Sequence, residues 1–581
     1  MNYFVWQRTC VDEAGNVLPS ASVTVTDVIS GALAQLYSDE GVTTTGNPIA
    51  ADSNGFVQFF VKSGIYTIVA TLGGDSRTWT KEAIGSPYKR TAEEVTAGIT
   101  PTSYQYPPGD SRRYGAVGDG VTDDTDALNN CLYANDGASV VFARGTYLIS
   151  DSLAVYSNVI EGGGSREDTV ITPNGDFPCF VNPGHEFIAG AIKNLTIIYN
   201  GGTQPTSASG NDNKIGIFWE IVSGRSPNYF NVEDVEVRGA WWAYYDESGS
   251  YGCNFDRFFM RDCQNGFYKT AGTTFTLNQV IGLNCNVGIS LSSCLAFTLN
   301  ACANDGAVIT ANAVNSFVSC TGLVINGWDS ESNDVSGNGA TLFSFVDCDG
   351  TFNAHVGHVN DFAATTGNWV AVALFNDSFM SVVGHRPQYD TSTDELTMTG
   401  DGTFYHFVAE NGSKITFIGG EYPQPDVVSG SPTLTPFVGT GTARIHLIGV
   451  SYEGTPEANT ANLDSDYDED TYTLTGFSGT DPTLTLRVRK EGYTVTMQLE
   501  ATSGTSDTAS MTLTPALPAA FRPVRAQKIS VRITDNSALV SGALVIGTDG
   551  TMTFYSSDSE AAITDSGSKG IPTRTITYSL D

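Results

Sequence analysis

Basic residues are scarce in this sequence of 581 residues: Lys and Arg number 29, against 63 Asp and Glu, so the formal net charge is −34. A polyanion would be repelled by such a chain, which argues against nucleic acid and against an anionic membrane surface as partners. Charged residues of both signs make up only 16% of the chain, whereas 40% is apolar. The sequence can therefore form a hydrophobic core and is not a disordered acidic polymer.

Paired cysteines of the Cys-x-x-Cys type are absent, although the chain has ten cysteines. Zinc ribbons and thioredoxin-type redox sites therefore have no support, and no metal or cofactor is predicted. No apolar run approaches the ~20 residues of a membrane-spanning helix, and residues 1–10 lack the basic and apolar regions of a signal peptide. We expect a soluble protein that is made in a cytoplasm and does not insert into a membrane.

Glycine (62 residues), phenylalanine (30) and tyrosine (25) are abundant, a composition typical of strands joined by turns. Residues 1–86 show strand-like alternation at 22–26, 56–61 and 66–70, and we predict that they form a small β domain. Residues 87–109 are interpreted as a neck or linker, with a short helix predicted around 91–97.

An internal repeat marks the long segment 110–458, which consists of short strands separated by Gly, Asn and Asp, with one helix predicted at 123–132. Cys263, Cys285, Cys302 and Cys320 recur at nearly even intervals, each after an aromatic-led strand. A period of roughly 20 residues without helices predicts the turns of a single-stranded parallel β-helix. The cysteines are interpreted as small apolar residues stacked inside the coil, with disulfides or a metal site as alternatives.

An acidic run precedes the C-terminal part of the chain. Residues 459–470 are predicted to be a solvated linker, with a cation-binding loop as the alternative, because positions 463–470 hold five acidic residues and no basic one. Residues 471–581 return to alternating strands and are predicted to form a β-sandwich. The predicted fold class is therefore all-β, with two small β domains flanking a parallel β-helix.

Residues 114–128, Tyr-Gly-Ala-Val-Gly-Asp-Gly-Val-Thr-Asp-Asp-Thr-Asp-Ala-Leu, resemble the motif at the start of pectate-lyase-like right-handed β-helices, which is common in bacteriophage tailspikes and depolymerases. Residues 140–147 resemble its usual continuation, although Ala143 stands where proline is commoner. In that family the motif covers the open end of the coil. Asp119, Asp123 and Asp124 are therefore interpreted as structural and not catalytic.

Two further segments resemble tailspike proteins. Residues 41–70 look like the N-terminal particle-anchoring domain, and residues 517–523 and 547–550 are similar to C-terminal domains of tail fibres and spikes. The resemblance implies a homotrimer on the phage tail, with residues 1–86 bound to tail or portal-adaptor proteins and the C-terminal domain serving trimerisation or glycan binding. It also implies that the protein acts outside the cell, where it binds and hydrolyses host surface polysaccharide as an endoglycosidase.

Hydrolysis of a glycosidic bond needs two carboxyl groups. If Asp329 and Glu331 lie on one strand, they point the same way, about 6.6–6.8 Å apart along the backbone, near the lower end of the ~6.5–9.5 Å range of inverting hydrolases. They are the candidate acid and base, and Asp305, one coil turn earlier, could approach from a neighbouring turn. Trp328 is a candidate for stacking on a sugar, although it points to the other strand face unless a bend intervenes. A solvated turn at a coil corner is the structural alternative.

A run of aromatic residues supplies a second candidate surface. The sugar-binding residues predicted there are Trp241, Trp242, Tyr244, Tyr245, Asp246 and Glu247. Such rings either form a platform for sugars or pack in the core or at a trimer contact. A non-enzymatic adhesin that binds glycan through this region is therefore one alternative function.

A polysaccharide lyase is the other alternative. It would abstract a proton beside a uronate carboxylate and needs a base together with a cation or an arginine. His355, His358, His385 and Arg386 could serve, but the small number of basic residues argues mildly against a strongly anionic substrate.

Overall fold

Strands dominate the computed structural model, which describes residues 3–85, 88–182, 187–220, 226–310, 312–358, 360–386, 396–422, 425–452, 463–465 and 467–581. The prediction of an all-β fold is confirmed. Contacts divide the chain into two units, Met1–Ser248 and Gly249–Asp581. The two α-helices of the described residues have 5 and 10 residues, too few to cross a membrane.

The N-terminal residues form two antiparallel four-stranded sheets that share one core. The strands are β1 (Tyr3–Thr9), β2 (Ser22–Asp27), β3 (Leu36–Tyr37), β4 (Thr44–Thr45), β5 (Ile49–Ala50), β6 (Phe56–Lys62), β7 (Gly64–Leu72) and β8 (Asp75–Ile84). The sheet orders are β1-β6-β3-β4 and β5-β2-β7-β8. Alternate residues of β6 and β7 point inward, so that Phe59 from one sheet and Ile68 from the other are fully buried in the same cluster.

A buried ion pair connects the predicted neck to the start of the coil. Helix α1 (Ala92–Thr96) begins with a capping box, in which the N–H of Glu94 donates to the Thr91 hydroxyl and the N–H of Thr91 donates to the Glu94 carboxylate. The Glu94 carboxylate also accepts two bonds from Arg113, at 2.6 and 3.0 Å, and one from the Tyr114 hydroxyl at 2.8 Å. Both charged side chains are completely buried, so the segment is anchored and not a free linker at this point.

The motif at the coil's start is held by hydrogen bonds from its own carboxylates. It comprises a 3-10 helix (Ser111–Tyr114), β9 (Asp119–Asp123) and α2 (Thr125–Ala134). Asp124 accepts the N–H groups of Val117 and Gly118 at 2.7 and 3.0 Å. Asp119 and Asp123 accept bonds from residues two or three positions later. These contacts explain the acidic motif structurally.

The remaining strands of the first unit pair in parallel. They are β10 (Ser139–Phe142), β11 (Gly145–Ile149), β12 (Leu153–Ala154), β13 (Val159–Gly162), β14 (Thr169–Pro173), β15 (Phe180–Val181), β16 (Phe187–Ile188), β17 (Ala191–Ile198), β18 (Ile215–Trp219), β19 (Pro227–Asn228), β20 (Asn231–Arg238) and β21 (Trp242–Asp246), with 3-10 turns at Arg166–Asp168 and Asn200–Gly202. One sheet runs through β9, β11, β14, β17 and β20, and another through β12, β15, β18 and β21.

The second unit continues with parallel strands in three long sheets. They are β22 (Asn254–Arg261), β23 (Asn265–Thr270), β24 (Thr276–Leu283), β25 (Val287–Ser292), β26 (Thr298–Asp305), β27 (Val308–Ile309), β28 (Ala313–Val318), β29 (Leu323–Glu331), β30 (Asp334–Ser336), β31 (Ala340–Val346), β32 (Asp349–His358), β33 (Asp361–Ala363), β34 (Trp369–Asn376), β35 (Phe379–Val383), β36 (Thr397–Thr399), β37 (Thr403–Glu410), β38 (Lys414–Ile418), β39 (Glu421–Tyr422), β40 (Asp426–Ser429), β41 (Thr433–Gly439), β42 (Arg444–Ile448), β43 (Ser451–Tyr452) and β44 (Leu463–Ser465). The sheets are β22-β24-β26-β29-β32-β35-β38-β42-β44, β23-β25-β28-β31-β34-β37-β41 and β27-β30-β33-β36-β40. The prediction of a parallel β-helix is confirmed.

The coil turns lengthen along this unit. Asn254, Thr276 and Thr298 pair in successive turns and are evenly spaced in sequence. Ser381 and Thr416 also pair in successive turns, although they lie much further apart in sequence. The predicted period of roughly 20 residues therefore holds for the first turns only, because later turns add the third sheet, which begins at β27.

All ten cysteines are free and buried. Those of the coil repeat, such as Cys285 and Cys302, are buried as predicted for small apolar residues inside the coil, whereas Cys10 belongs to the core of the N-terminal β domain. The cysteines of the coil do not form a single row. The side chain of Cys320 lies within hydrogen-bonding distance of those of Cys294 and Cys348, so these three form one row. Cys302 belongs to another row, in which its strand partner is Trp328. The sequence spacing could not separate these rows because each coil turn has several inward-facing positions.

The C-terminal residues form one ten-stranded antiparallel sheet around a common core. Its strands are β45 (Tyr467–Thr475), β46 (Thr483–Glu491), β47 (Thr494–Leu499), β48 (Thr502–Thr505), β49 (Thr512–Thr514), β50 (Gln527–Asp535), β51 (Ala538–Ile546), β52 (Met552–Tyr555), β53 (Ser568–Ile571) and β54 (Arg574–Ser579), with a 3-10 turn at Ala519–Phe521. The order is β48-β53-β50-β51-β52-β49-β45-β46-β47-β54. Inward residues from most strands share the core.

The predicted acidic linker differs from what the structure shows. Residues 459–462 and 466 lie outside the described residues, but β44 pairs with β42 of the coil and β45 pairs with β46 of the C-terminal sheet. The acidic run therefore supplies two strands. A strand is formed by hydrogen bonds of the backbone, so an acidic side chain that faces solvent, such as the exposed Asp470, does not prevent it.

Candidate active site

A bend in β29 decides which of its side chains face solvent. Before the bend Ile325 is buried, and Gly327 then adopts a φ of +66°, a left-handed conformation that favours glycine. After the bend Trp328 is buried, whereas Asp329 and Glu331 are exposed. The alternation therefore resumes with the two carboxyl groups outside and the indole inside.

The preceding strand of the sheet brings a third carboxyl group to the same face. Asp305 on β26 pairs directly with Glu331 on β29, and Ala303 pairs with Asp329. Since neighbouring strands lie about 4.8 Å apart and alternate residues about 6.7 Å apart, the backbone of Asp305 lies about 4.8 Å from that of Glu331 and about 8 Å from that of Asp329. The structure thus places together all three residues that were predicted to be catalytic.

The three carboxyl groups differ in their surroundings. Asp305 is half-buried, whereas Asp329 and Glu331 are exposed. Burial raises the pKa of the Asp305 carboxyl above its ordinary value, and the negative charges of Glu331 and Asp329 raise it further. The surroundings of Asp305 therefore favour its protonated form.

Positive charge is scarce around this cluster. The sequence has no Lys or Arg between Lys269 and Arg386, a stretch with eight acidic residues. Arg386 occupies the position of Asp329 two strands further along the sheet, and its guanidinium lies 3.8 Å from the Glu421 carboxylate. The turns that carry the cluster supply no basic side chain of their own, and repulsion among the carboxyl groups favours proton uptake by one of them.

A second carboxyl pair lies around the next corner and was not predicted as a pair. Asp334 on β30 pairs with Asp361 on β33. Burial, the charge of Asp361 and a hydrogen bond to its carboxylate all raise the pKa of Asp334, and the Thr397 hydroxyl donates to Asp361. Asp334 and Asp361 are separated in sequence by as many residues as Glu331 and His358, which pair in the preceding strands. This equal separation is the signal from which the pair could have been predicted. Two hydrogen-bonded carboxyl groups leave no room for a sugar between them.

The coil interior behind the cluster contains residues that had been predicted for the surface. Trp328 is 1% exposed and packs edge-on against Phe343 with ring centroids 5.4 Å apart. Its predicted stacking on a sugar is therefore wrong for this structure, because the bend at Gly327 directs the ring into the core. Among the described residues, no group of three or more His, Cys, Asp or Glu is arranged to hold a metal ion.

Two histidines proposed for a lyase are also in this interior. The hydroxyl of Ser330 and Nε2 of His355 lie 2.8 Å apart, and Nδ1 of His355 is 3.1 Å from Nδ1 of His385. Burial lowers the pKa of His385, as do the neighbouring His355 and His406. Both rings are inaccessible to a polysaccharide. The side chain of His358 lies outside the described residues.

The aromatic run of the first unit is divided between core and surface. Tyr244 is fully buried and donates its hydroxyl to Asp246, which is also fully buried, at 2.8 Å. The prediction that these two residues contact substrate is therefore wrong, since alternation along β21 points them inward. Trp242 and Tyr245 are half-buried, with ring centroids 5.2 Å apart, and the Tyr245 hydroxyl donates to Glu247. Trp241 is half-buried as well.

Comparison with known proteins agrees with the motif at the coil's start. Residues 111–196 match the family described as rhamnogalacturonase A/epimerase, pectate lyase-like. A depolymerase of Klebsiella phage K64-1, described as specific for capsule K30/K69, is 26% identical over 200 residues, which are 31% of this chain and 24% of the relative. This chain resembles phage tailspike depolymerases. The chain therefore spans about a quarter of that relative's length.

Solved structures also match over much of the chain. The tailspike of Acinetobacter phage vb_AbaP_AS12 has a TM-score of 0.45 at 11% identity, covering 76% of this chain and 84% of its own. The Dettilon tailspike has a TM-score of 0.38 at 12% identity, covering 79% and 92%. PfbA, a surface adhesin of Streptococcus pneumoniae, has a TM-score of 0.35 at 12% identity, covering 64% and 99%.

Proposed function

We propose that this chain is a phage tailspike that hydrolyses a bacterial surface polysaccharide as an endoglycosidase. The observation that carries the proposal is the outward carboxyl cluster of Asp305, Asp329 and Glu331 on adjacent strands. Its members combine one half-buried carboxyl of raised pKa with two exposed ones. A glycosidase needs such a pair, in which one carboxyl group is protonated and the other ionised.

The surroundings of each carboxyl suggest its role. Asp305 would act as the general acid that protonates the leaving oxygen, because its pKa is raised. Glu331 would be its partner, since the two residues are in register on neighbouring strands whose backbones lie about 4.8 Å apart. The charge of Asp329 would add to the burial and the charge of Glu331 that raise the pKa of Asp305.

Charge and burial favour hydrolysis over elimination. A lyase must neutralise a uronate carboxylate, and the turns that carry the cluster have no Lys or Arg; Arg386, two strands further along the row of Asp329, lies 3.8 Å from the Glu421 carboxylate. The histidines His355 and His385, which could have acted as base, are buried. A substrate without a carboxylate at the cleavage point fits this environment better.

The wider biological role is proposed from the resemblance. The phage depolymerase relative and the motif at the coil's start support a protein of the virion tail that acts at the host surface. Residues 1–86 would attach it to tail or portal-adaptor proteins, and three copies would assemble into a homotrimer. The partner outside the virion would be host surface polysaccharide.

A glycan-binding adhesin without enzymatic activity is the second candidate. It is favoured by the outward aromatic group of Phe218, Trp242 and Tyr245, in which the rings of Phe218 and Tyr245 are 5.8 Å apart. Half-exposed aromatic rings of this kind stack on sugars as well as on protein partners.

Incubation with polysaccharide separates the two candidates. The probes are purified capsular polysaccharides of the K30 and K69 types, with a panel of other capsular and O-antigen polysaccharides. Shortening of the chain with release of reducing ends supports an endoglycosidase, binding without shortening supports the adhesin, and absorbance of an unsaturated product reveals a lyase. Binding to none of the polysaccharides would contradict the proposed function.

Substitution of the cluster tests the assignment of residues. Glu331→Gln and Asp305→Asn should each lower cleavage about 10²–10⁴-fold while binding and assembly persist. The matched control is Asp347→Asn, an exposed carboxylate of the same unit that accepts from Ser319 at 3.1 Å. Unchanged oligosaccharide release by Glu331→Gln would refute the assignment.

A further inference from the structure

Four asparagines form a continuous amide ladder on the outer face of the coil. Asn278, Asn300, Asn326 and Asn353 occupy the same position on β24, β26, β29 and β32. Each later amide donates to the oxygen of the preceding one, over distances of 2.8, 3.0 and 2.9 Å. All four side chains are half-buried, so one edge of the ladder faces solvent.

The ladder bonds use only part of the hydrogen-bonding capacity of these amides. A carboxamide has two N–H donors and an oxygen with two lone pairs. The two middle residues, Asn300 and Asn326, each spend one N–H and one lone pair within the ladder. Their remaining donors and acceptors repeat about every 4.8 Å along the coil axis. This is an uncharged, regularly spaced set of partners for hydroxyl groups.

The ladder runs beside the carboxyl cluster on the same strands. Asn300 and Asp305 are both on β26, and Asn326 and Asp329 are both on β29, all with outward side chains. Asn326 precedes Asp329 by three residues, a backbone distance of at most about 10 Å. Asp305 and Glu331 lie five residues after Asn300 and Asn326, at most about 17 Å of backbone away and beyond the bend at Gly327, so a glycan on the ladder would reach them with the sugar units that extend across that bend.

We propose that this amide ladder is a binding strip for the hydroxyl groups of uncharged sugar residues, which aligns the polysaccharide along the coil axis next to the carboxyl cluster. The inference rests on the proposed function and adds the chemical class of the bound sugars. Neutral amides suit hydroxyl groups and not carboxylate or phosphate substituents. The turns of the two middle amides contain no Lys or Arg, and the Arg257–Asp256 ion pair borders only the first member, Asn278.

The test separates sugar binding from a purely structural ladder. All variants carry Glu331→Gln, so that the polysaccharide stays intact during the measurement. One ladder variant changes both Asn300 and Asn326 to Ala, and a second changes both to Thr, which is favourable in strands. The matched control changes Asn376 and Asn411 to Ala, an amide pair at another corner whose bond measures 2.6 Å. Affinity is measured by surface plasmon resonance against the polysaccharide that binds wild-type protein in the capsular and O-antigen panel, and folding by the thermal unfolding midpoint.

We expect both ladder variants to bind at least about tenfold more weakly than the parent, with the control within about twofold and unfolding midpoints that match the control's. Binding should change little between low and high salt, because no charged group takes part. Ladder variants that bind like the parent, equal losses in ladder and control, or a steep salt dependence would overturn the inference while leaving the proposed function standing. Wild-type protein that binds no polysaccharide of the panel would overturn the proposed function itself.

Discussion

The charge of Asp329 offers a direct test of how the carboxyl cluster works. Asp329→Asn removes one of the two negative charges that raise the pKa of Asp305. The pKa of Asp305 should therefore fall, and because the proposed mechanism needs Asp305 protonated, the high-pH limb of kcat/KM should move to lower pH. Glu331 remains in place, so the variant should retain activity at its own optimum.

The size of this shift follows from the strand geometry. Asp305 and Asp329 are diagonal neighbours on paired strands, with their backbones about 8 Å apart, which we take as the separation of their charges. Two unit charges at that distance interact by about 0.5 kcal/mol in water and by about 2 kcal/mol at an effective dielectric constant of 20. Asp329→Asn removes this interaction, so the pKa of Asp305 falls and the high-pH limb moves in the same direction. Since Asp305 is only half-buried, solvent screening favours the lower half of that range.

The assay is release of reducing ends from the polysaccharide cleaved by wild-type protein, followed across pH at low substrate concentration. The control Asp347→Asn removes a carboxylate at another corner of the same unit and should leave the limb in place. The shift caused by Asp329→Asn should shrink at high salt. A limb that stays fixed or moves to higher pH would refute the assignment of Asp305 as the acid.

Three further predictions concern stability. Glu94→Gln should lower the free energy of unfolding of the neck by about 3–5 kcal/mol in denaturant titrations, because it leaves Arg113 as an unpaired buried charge; the added change Arg113→Met should recover part of the loss. Asp334→Asn should raise the free energy of unfolding at pH 7 by no more than about 0.5 kcal/mol, seen as a slightly higher thermal unfolding midpoint, because it relieves repulsion from Asp361. This gain should vanish below the ordinary carboxyl pKa, where both groups are protonated. Burial keeps the pKa of His385 below that of the unfolded chain, so stability should fall as pH drops below about 6.5, and the midpoint of His385→Phe should depend less on pH between 7 and 5.

The fold was predictable because its signals are local and repeated. Alternation of apolar and polar residues marks strands such as β6, and Cys and Phe that recur at intervals of roughly 20 residues mark the coil turns. The limit of this reasoning appears where the turns have lengthened, as between the paired residues Ser381 and Thr416. A period read from one region cannot reveal that later turns add a third sheet.

The candidate site was predictable in its carboxyl groups but not in its aromatic rings. Spacing two residues apart puts Asp329 and Glu331 on one face whatever precedes them. Whether that face is outside depends on the bend at Gly327, and the same bend places Trp328 in the core. Tyr244 shows the same difficulty, since an unbroken aromatic run does not indicate which members point inward.

The direction of a pKa shift distinguishes the carboxylates that stabilise the start of the coil from those of the proposed site. Hydrogen bonds from nearby backbone and hydroxyl groups hold the pKa values of Asp119 and Asp123 below the ordinary value, as expected for carboxylates that stabilise a turn. Burial alone is not sufficient evidence of function, because it raises the pKa of Asp124 too, although that residue accepts two backbone N–H groups. Asp305 differs from these in facing outward beside an in-register carboxyl partner, Glu331. Burial raises its pKa most and the charges of Glu331 and Asp329 raise it further, the combination that a proposed proton donor requires.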